Sequence, residues 1–260
     1  ALIFGMVGIL LLLLFVFLLF FLLREYGKSD KLYEQARETY LEPQETEGAF
    51  ASEAAFAAAW TPALSPDLAA LSAEYPDVVG WIDFENEEIS YPILYSGDNE
   101  KYLDHSYNGE SLKSGSIFLD GESSTDLSDP HTLIYGHNMR DLSMFGRLKY
   151  YASDSQYYAE HPYFDIYAGD RVYRYRVFAC EEVEDSDLVY YVYGKDPENL
   201  KELIALLYER SYYPAEEQVT PSDHIVTLST CTESDEKRII VCGMRTEEYQ
   251  RQDGTFKAAG

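Results

Sequence analysis

Ile225-Val-Thr-Leu-Ser-Thr-Cys231, then Thr232-Glu-Ser-Asp-Glu-Lys237, then Arg238-Ile-Ile-Val241, reads as two β-strands joined by a short polar loop. The first run is rich in β-branched residues and ends on a cysteine; the second begins on an arginine. Paired as a hairpin, they set Cys231 opposite Arg238, and directly opposed residues project to the same face of a sheet. A thiol and a guanidinium then stand side by side at a sheet edge. The thiolate is the reactive form of cysteine, and a fixed positive charge beside it favours that form. A core cysteine next to a solvated arginine leaves the same local pattern, because free cysteine is often simply buried.

A third residue changes the balance. A nucleophilic cysteine needs a histidine close in space rather than in sequence. Of five histidines, His105 and His131 lie in polar, turn-rich surroundings, His161 precedes Pro162, and His224 falls at the far end of the cysteine strand. Only His137, in Leu133-Ile-Tyr-Gly-His137-Asn-Met139, ends an apolar strand followed by a helix start.

These residues resemble those of a known family. Thr227-Leu-Ser-Thr-Cys231 resembles the nucleophile motif of sortases, and Arg238 before a β-branched run resembles their active-site arginine. Tyr135-Gly-His137-Asn-Met139, with Ser143-Met-Phe145 and Leu148-Lys-Tyr150, is similar to the histidine region of class B sortases. Val79-Gly-Trp-Ile82, Ile89-Ser-Tyr-Pro-Ile93 and Gly115-Ser-Ile-Phe-Leu-Asp120 agree, in the right order, so the likeness covers Leu68 to Met244. The connection from Cys231 to Arg238 is short, in a loop that varies within the family.

The resemblance implies a membrane-anchored cysteine transpeptidase of Gram-positive bacteria, built on an eight-stranded β-barrel with a few short helices. It gives Cys231 the role of nucleophile, His137 that of general acid and base, and Arg238 that of oxyanion or peptide support. It suggests that Leu94 packs on the substrate, with Tyr135 a second candidate. Ser229 and Thr230 flank the nucleophile, and Ser229 shares its face by strand alternation. The implied partners are secreted proteins bearing a C-terminal sorting signal and an acceptor amine, from a peptidoglycan precursor or from a pilin lysine. A hydrolytic cysteine protease and a catalytically silent, membrane-tethered peptide-binding domain are the competing readings. No cofactor is implied.

Residues 1–23 are apolar or glycine with no charge before Arg24. A helix of about 20 such residues crosses the hydrocarbon core, whereas a cleaved signal has an apolar region of about 7–15 residues and a small-residue cleavage site. We read an uncleaved anchor. Arg24, Lys28, Lys31 and Arg37 follow it, and their count alone would place the domain inside the cell; the resemblance places it on the extracellular face. Residues 24–66 read as a juxtamembrane helix, capped by Ser29 and running to about Tyr40, followed by an Ala-, Glu- and Pro-rich stalk. The Ala54–Ala59 run suits either stalk or helix.

Residues 67–246 form the expected catalytic domain, with 247–260 as a C-terminal tail. Strands are expected at 79–84, 89–95, 115–119, 131–136, 163–168, 171–180, 224–231 and 238–245, a pattern of barrel or sandwich. Helices are expected after Pro66-Asp67, near Met144–Tyr151, at Ser155–Glu160 and at Pro197–Arg210, the last with Leu200, Leu203, Ile204 and Leu207 on one face. A net charge of −26, from 46 acidic and 20 basic residues, argues against nucleic acid as partner. The cysteines at 180, 231 and 242 lack metal-ligand spacing.

Overall fold

The structure, a computed structural model, describes residues 2–43, 60–191, 197–215, 218–232 and 236–259. It opens with helix α1, Leu2–Tyr40. Phe4 to Phe21 present exposed apolar side chains, and this part of α1 is long and apolar enough to cross a membrane. The helix does not stop at the apolar boundary. The sequence reading has Ser29 capping a separate helix; instead Ser29 lies mid-helix, buried, with its hydroxyl 2.8 Å from that of Ser114. A mid-helix serine with a partner outside the helix has no need to bend back onto its own backbone. Ser29, Tyr33, Ala36 and Tyr40 are buried at helical spacing, so the second half of α1 packs on the domain rather than standing off it.

Strand β1, Leu41–Pro43, leaves α1 directly and pairs antiparallel with β2, Leu64–Pro66. The expected stalk therefore begins and ends against the domain. The Ala54–Ala59 run lies outside the described residues. Helix α2, Leu68–Glu74, is capped by the Asp67 carboxylate, which accepts from the Ala70 amide at 2.9 Å.

The remaining strands are β3 (Val78–Phe84), β4 (Ser90–Leu94), β5 (Ile117–Leu119), β6 (His131–Tyr135), β7 (Tyr163–Ala168), β8 (Arg171–Glu184), β9 (Ile225–Cys231), β10 (Lys237–Gln252) and β11 (Thr255–Ala258). The order β10-β8-β7-β3-β4-β5-β6-β9 closes on itself through β9–β10 pairing, giving an eight-stranded barrel with β11 added outside β10. Closure removes the exposed strand edges an open sheet would carry. The pairs β4–β5 and β6–β9 are parallel; the rest are antiparallel. The segment read as a tail is ladder with β8 through Gln250, because β8 is long enough to pair with it, and then turns back as β11.

Helices α3, Lys149–Ser153, and α4, Ser155–Glu160, follow a 3-10 turn at Gly146–Leu148 and bring Tyr151 into the barrel core. Helix α5, Leu200–Arg210, buries Leu200, Leu203, Ile204 and Leu207 against Phe178, Val183, Ile225 and Ile240 on the outer face of β8, β9 and β10. Each such side chain contributes about 1.5–3 kcal/mol when fully buried. The sheet thus has two cores, one inside the barrel and one beneath α5. Cys180 and Cys242 fall on opposite sides of this divide, both unpaired. Burial pushes the Cys242 thiol up to about 12 and the Cys180 thiol up as well, which keeps both protonated and inert at neutral pH.

Candidate active site

Three neighbouring strands, β6, β9 and β10, bring the predicted residues to one end of the barrel. Arg238 on β10 is paired with Cys231 at the end of β9. On the other side of β9, Tyr135 of β6 is in register with Ser229. The Gly136 amide donates to the Ser229 carbonyl at 3.1 Å, extending that ladder. His137 and Cys231 each follow two residues later, just past the last rung of that ladder. Cys231 therefore stands on the middle strand, with the histidine strand on one side and the arginine strand on the other.

The histidine is held on several sides. A side chain at position 136 has no room: a Cβ there would sit 2.4 Å from Ile117 Cδ1 and 2.7 Å from the Phe145 ring. Glycine lets the backbone pass over these two side chains and deliver His137 to the cleft described below. Beyond it, Asn138 Nδ2 donates to the Cys231 carbonyl at 2.9 Å, tying the two strand ends together. His137 Nε2 lies 2.6 Å from the Leu103 carbonyl oxygen. A carbonyl only accepts, so Nε2 carries the proton in this bond and the neutral ring has Nδ1 as its basic nitrogen.

This end of the barrel opens into a cleft of about 460 Å³, lined among others by Leu103, Asp120, Tyr135, Tyr190, Thr230 and Asp185 together with the three central residues. Tyr190 closes one side. Its hydroxyl is 2.8 Å from Ser229 Oγ, and its ring stacks on Tyr135 at 6.3 Å between centroids. The 3-10 turn Leu188–Tyr190 that carries it is capped by Asp187, which receives Arg210 Nη1 from the end of α5 at 2.8 Å. The helix before the cysteine strand thus buttresses a wall of the cleft. On the opposite side the buried Asp120 accepts from Tyr135 OH at 2.9 Å, from Asn99 Nδ2 at 2.8 Å and from the Glu122 amide at 2.9 Å. Burial first, and the Asp120 charge second, push the Tyr135 phenol up, so it stays a donor.

Of the predicted substrate-contact residues, Tyr135, Ser229 and Thr230 border the cleft. Ser229 is buried behind Tyr190. Thr230 has a buried Oγ1 without a hydrogen-bond partner among the described residues. Leu94 does not border it: it is fully buried, paired with Val78 on one side and Phe118 on the other, because β4 is an interior strand of the barrel. The leucine at the cleft is Leu103, 45% exposed. Asn99, Leu103 and Tyr190 lie on connections, and strand periodicity carries no signal for them. Asp120 and Asn138 stand inside stretches already marked by motif, Gly115–Asp120 and Tyr135–Met139, and were open to notice there. Among the described residues no cluster of His, Cys, Asp or Glu has the geometry of a metal site.

Residues 84–246 match the Sortase domain family. The chain belongs to the sortase family. Within it, sortase B of Listeria monocytogenes is 39% identical over 162 residues, covering 61% of this chain and 65% of that protein, so this sortase spans just under two thirds of that relative's length. The crystal structure of sortase B from B. anthracis superposes with a TM-score of 0.71 at 27% identity, over 88% of this chain and all of that one. A Staphylococcus aureus sortase B–substrate complex superposes with a TM-score of 0.64 at 26% identity, over 68% of this chain and 83% of that one. These likenesses support a class B sortase.

Proposed function

We propose that this sortase cleaves a sorting signal in secreted proteins through a Cys231 thioacyl intermediate and passes the acyl group to an amine of peptidoglycan. The observation that carries the reading is one cleft lined by His137, Cys231 and Arg238, the last two paired across β9 and β10.

His137 Nδ1 holds the proton released by the Cys231 thiol, and the thiolate attacks the scissile carbonyl carbon, forming a C–S bond and an oxyanion. Arg238, on the adjacent position of β10, stabilises that charge or holds the peptide carbonyls. His137 donates a proton to the departing amine nitrogen as the C–N bond breaks, leaving the thioester. The acceptor amine then attacks the thioester, His137 takes its proton, the new amide forms and the thiolate returns. Each proton transfer of this kind is worth about 10²–10⁴ in rate. The cleft walls suit an extended peptide, with Tyr135, Tyr190 and Leu103 offering apolar surface and Asp120 and Ser229 backing the polar side. The exposed apolar half of α1 anchors the enzyme, with its domain on the extracellular side where sorting signals are presented.

The test is mass spectrometry of the full-length protein in detergent micelles, incubated with sorting-signal peptides and with either peptidoglycan-type or lysine-bearing acceptor amines. Ligated product with wild type and none with Cys231→Ala supports the reading. A covalent thioester retained by Cys231→Ala overturns the nucleophile. Ligation to the lysine acceptor alone makes the enzyme a pilin polymerase, and cleavage without ligation makes it a hydrolase.

A further inference from the structure

We propose that Tyr33, on the docked half of α1, is a positioning residue for His137, so that the anchor helix forms part of the catalytic apparatus. The inference rests on the catalytic role proposed above for His137.

The contacts form one continuous path. Tyr33 is 2% exposed; its hydroxyl donates to the Gly115 carbonyl at 2.7 Å and lies 3.1 Å from Ser116 Oγ. Ser29, one helical turn earlier, meets Ser114 at 2.8 Å. Residues 114–116 are therefore strapped to the helix. The strap in turn presses on the turn Lys101–Leu103. Gly115 has φ +54°, and a Cβ there would lie 2.4 Å from the Tyr102 carbonyl oxygen and 2.8 Å from that of Leu103. The Ser116 amide donates to the Tyr102 carbonyl at 3.0 Å, and Ser116 Oγ donates to the His105 carbonyl at 2.8 Å. The Leu103 carbonyl, pinned between these groups, accepts His137 Nε2 at 2.6 Å. That bond sets which ring nitrogen is basic.

Leu103 is 45% exposed and sits in a three-residue turn, so the strap is its main backing. Loosening the strap lets the carbonyl drift from Nε2. The ring then loses both its orientation and its preference for one tautomer. An ångström of displacement at a catalytic group costs up to about 10² in rate.

The experiment compares Tyr33→Phe with Tyr40→Phe in the full-length protein in detergent micelles. Both remove one hydroxyl from the same helix. Tyr40 donates to Glu74 Oε2 at 2.6 Å, on α2 and away from the strap. Two readouts are taken: kcat and KM for transpeptidation, and the histidine ¹⁵N side-chain signals of His137. Tyr33→Phe is expected to lower kcat by about threefold to tenfold with KM unchanged, a fraction of the misplacement cost, and to diminish the Nε2–H tautomer signature. Tyr40→Phe is expected to leave both as in wild type. Unaltered kcat and His137 signals in Tyr33→Phe overturn the proposal, as do equal effects of the two substitutions. Should wild type show no turnover, the functional reading fails, and the ¹⁵N comparison still decides whether Tyr33 orients His137.

Discussion

Asn138 donates a hydrogen bond to the backbone carbonyl of Cys231, so the histidine and cysteine strands are joined at the cleft end by a side chain as well as by their ladder. The β6–β9 ladder pairs residues only as far as Tyr135 and Ser229. Beyond that point this amide does what further rungs would otherwise do. Asn138→Ala is expected to lower kcat by about tenfold, within the range that displacement of a catalytic group costs, with little change in KM. Steady-state kinetics on a peptide substrate check this.

Gly136 is the position least able to change. Any side chain there strikes Ile117 and Phe145, both buried. Gly136→Ala is expected to destabilise by about 1–3 kcal/mol through overpacking, seen in urea denaturation. It should also slow Cys231 acylation, because relief of the clash moves the residue that follows. Acylation by a peptide substrate, followed by mass spectrometry, measures that loss.

Two buried groups set opposing pH dependences. His131, at the end of β6 away from the cleft, is buried against Thr227, and burial lowers it to about 4. From pH 6.5 down to 4 the unfolded chain takes up a proton that the folded chain refuses. Stability from this group is present above 6.5 and falls as the pH drops, by about 3 kcal/mol. Asp83, facing Asp165 across β3–β7, is raised by burial to about 6. Here the folded chain keeps a proton that the unfolded chain has released above its ordinary 3.8. Asp83 therefore costs about 3 kcal/mol by pH 7, and the cost disappears towards pH 4. Asp83→Asn is expected to stabilise the protein at pH 7.5 and to leave it unchanged at pH 4. Its urea-denaturation profile should then decline more steeply on acidification than that of wild type, because one of the groups opposing His131 is gone while Asp165 and Glu181, also raised by burial, remain.

Tyr190 touches the cleft without entering the proposed chemistry. Tyr190→Ala removes the wall stacked on Tyr135 and uncovers Ser229. The expected result is a KM raised about tenfold, a loss of roughly 1.4 kcal/mol of binding, with kcat retained. Tyr190→Phe keeps the ring and should lie near wild type in KM. The pair of variants separates the ring from the hydroxyl.

The central hairpin was legible because a run of β-branched residues, a polar loop and an arginine leave little choice of register, and Cys231 does pair with Arg238. The eight barrel strands were legible for the same reason, each within a few residues, apart from the far longer reach of β8 and β10. What strand periodicity could not show is which loops the closed ring brings to the cysteine. Asn99 and Leu103 arrive on the long connection from β4 to its parallel neighbour β5 and Tyr190 on that from β8 to β9, while Leu94, expected to pack on the substrate, is an interior barrel residue. The docking of α1 did leave a signal. Ser29, Tyr33, Ala36 and Tyr40 recur every three to four residues, the mark of a buried helix face; a serine that looked like a cap drew attention away from it.

The unbroken α1 also fixes geometry on a larger scale. With Phe4–Phe21 in a bilayer, Ser29 grips the domain only six residues past Leu23, about 9 Å along a helix axis. A flexible tether would let the cleft sweep a broad hemisphere above the lipid. A helical mount instead holds it at one altitude and one azimuth about the helix. On the proposed function, substrates would have to come to that altitude. A sorting signal too close to the bilayer, or too far above it, would be passed over whatever its residues, which makes the length of chain between signal and membrane a selection rule alongside the signal itself.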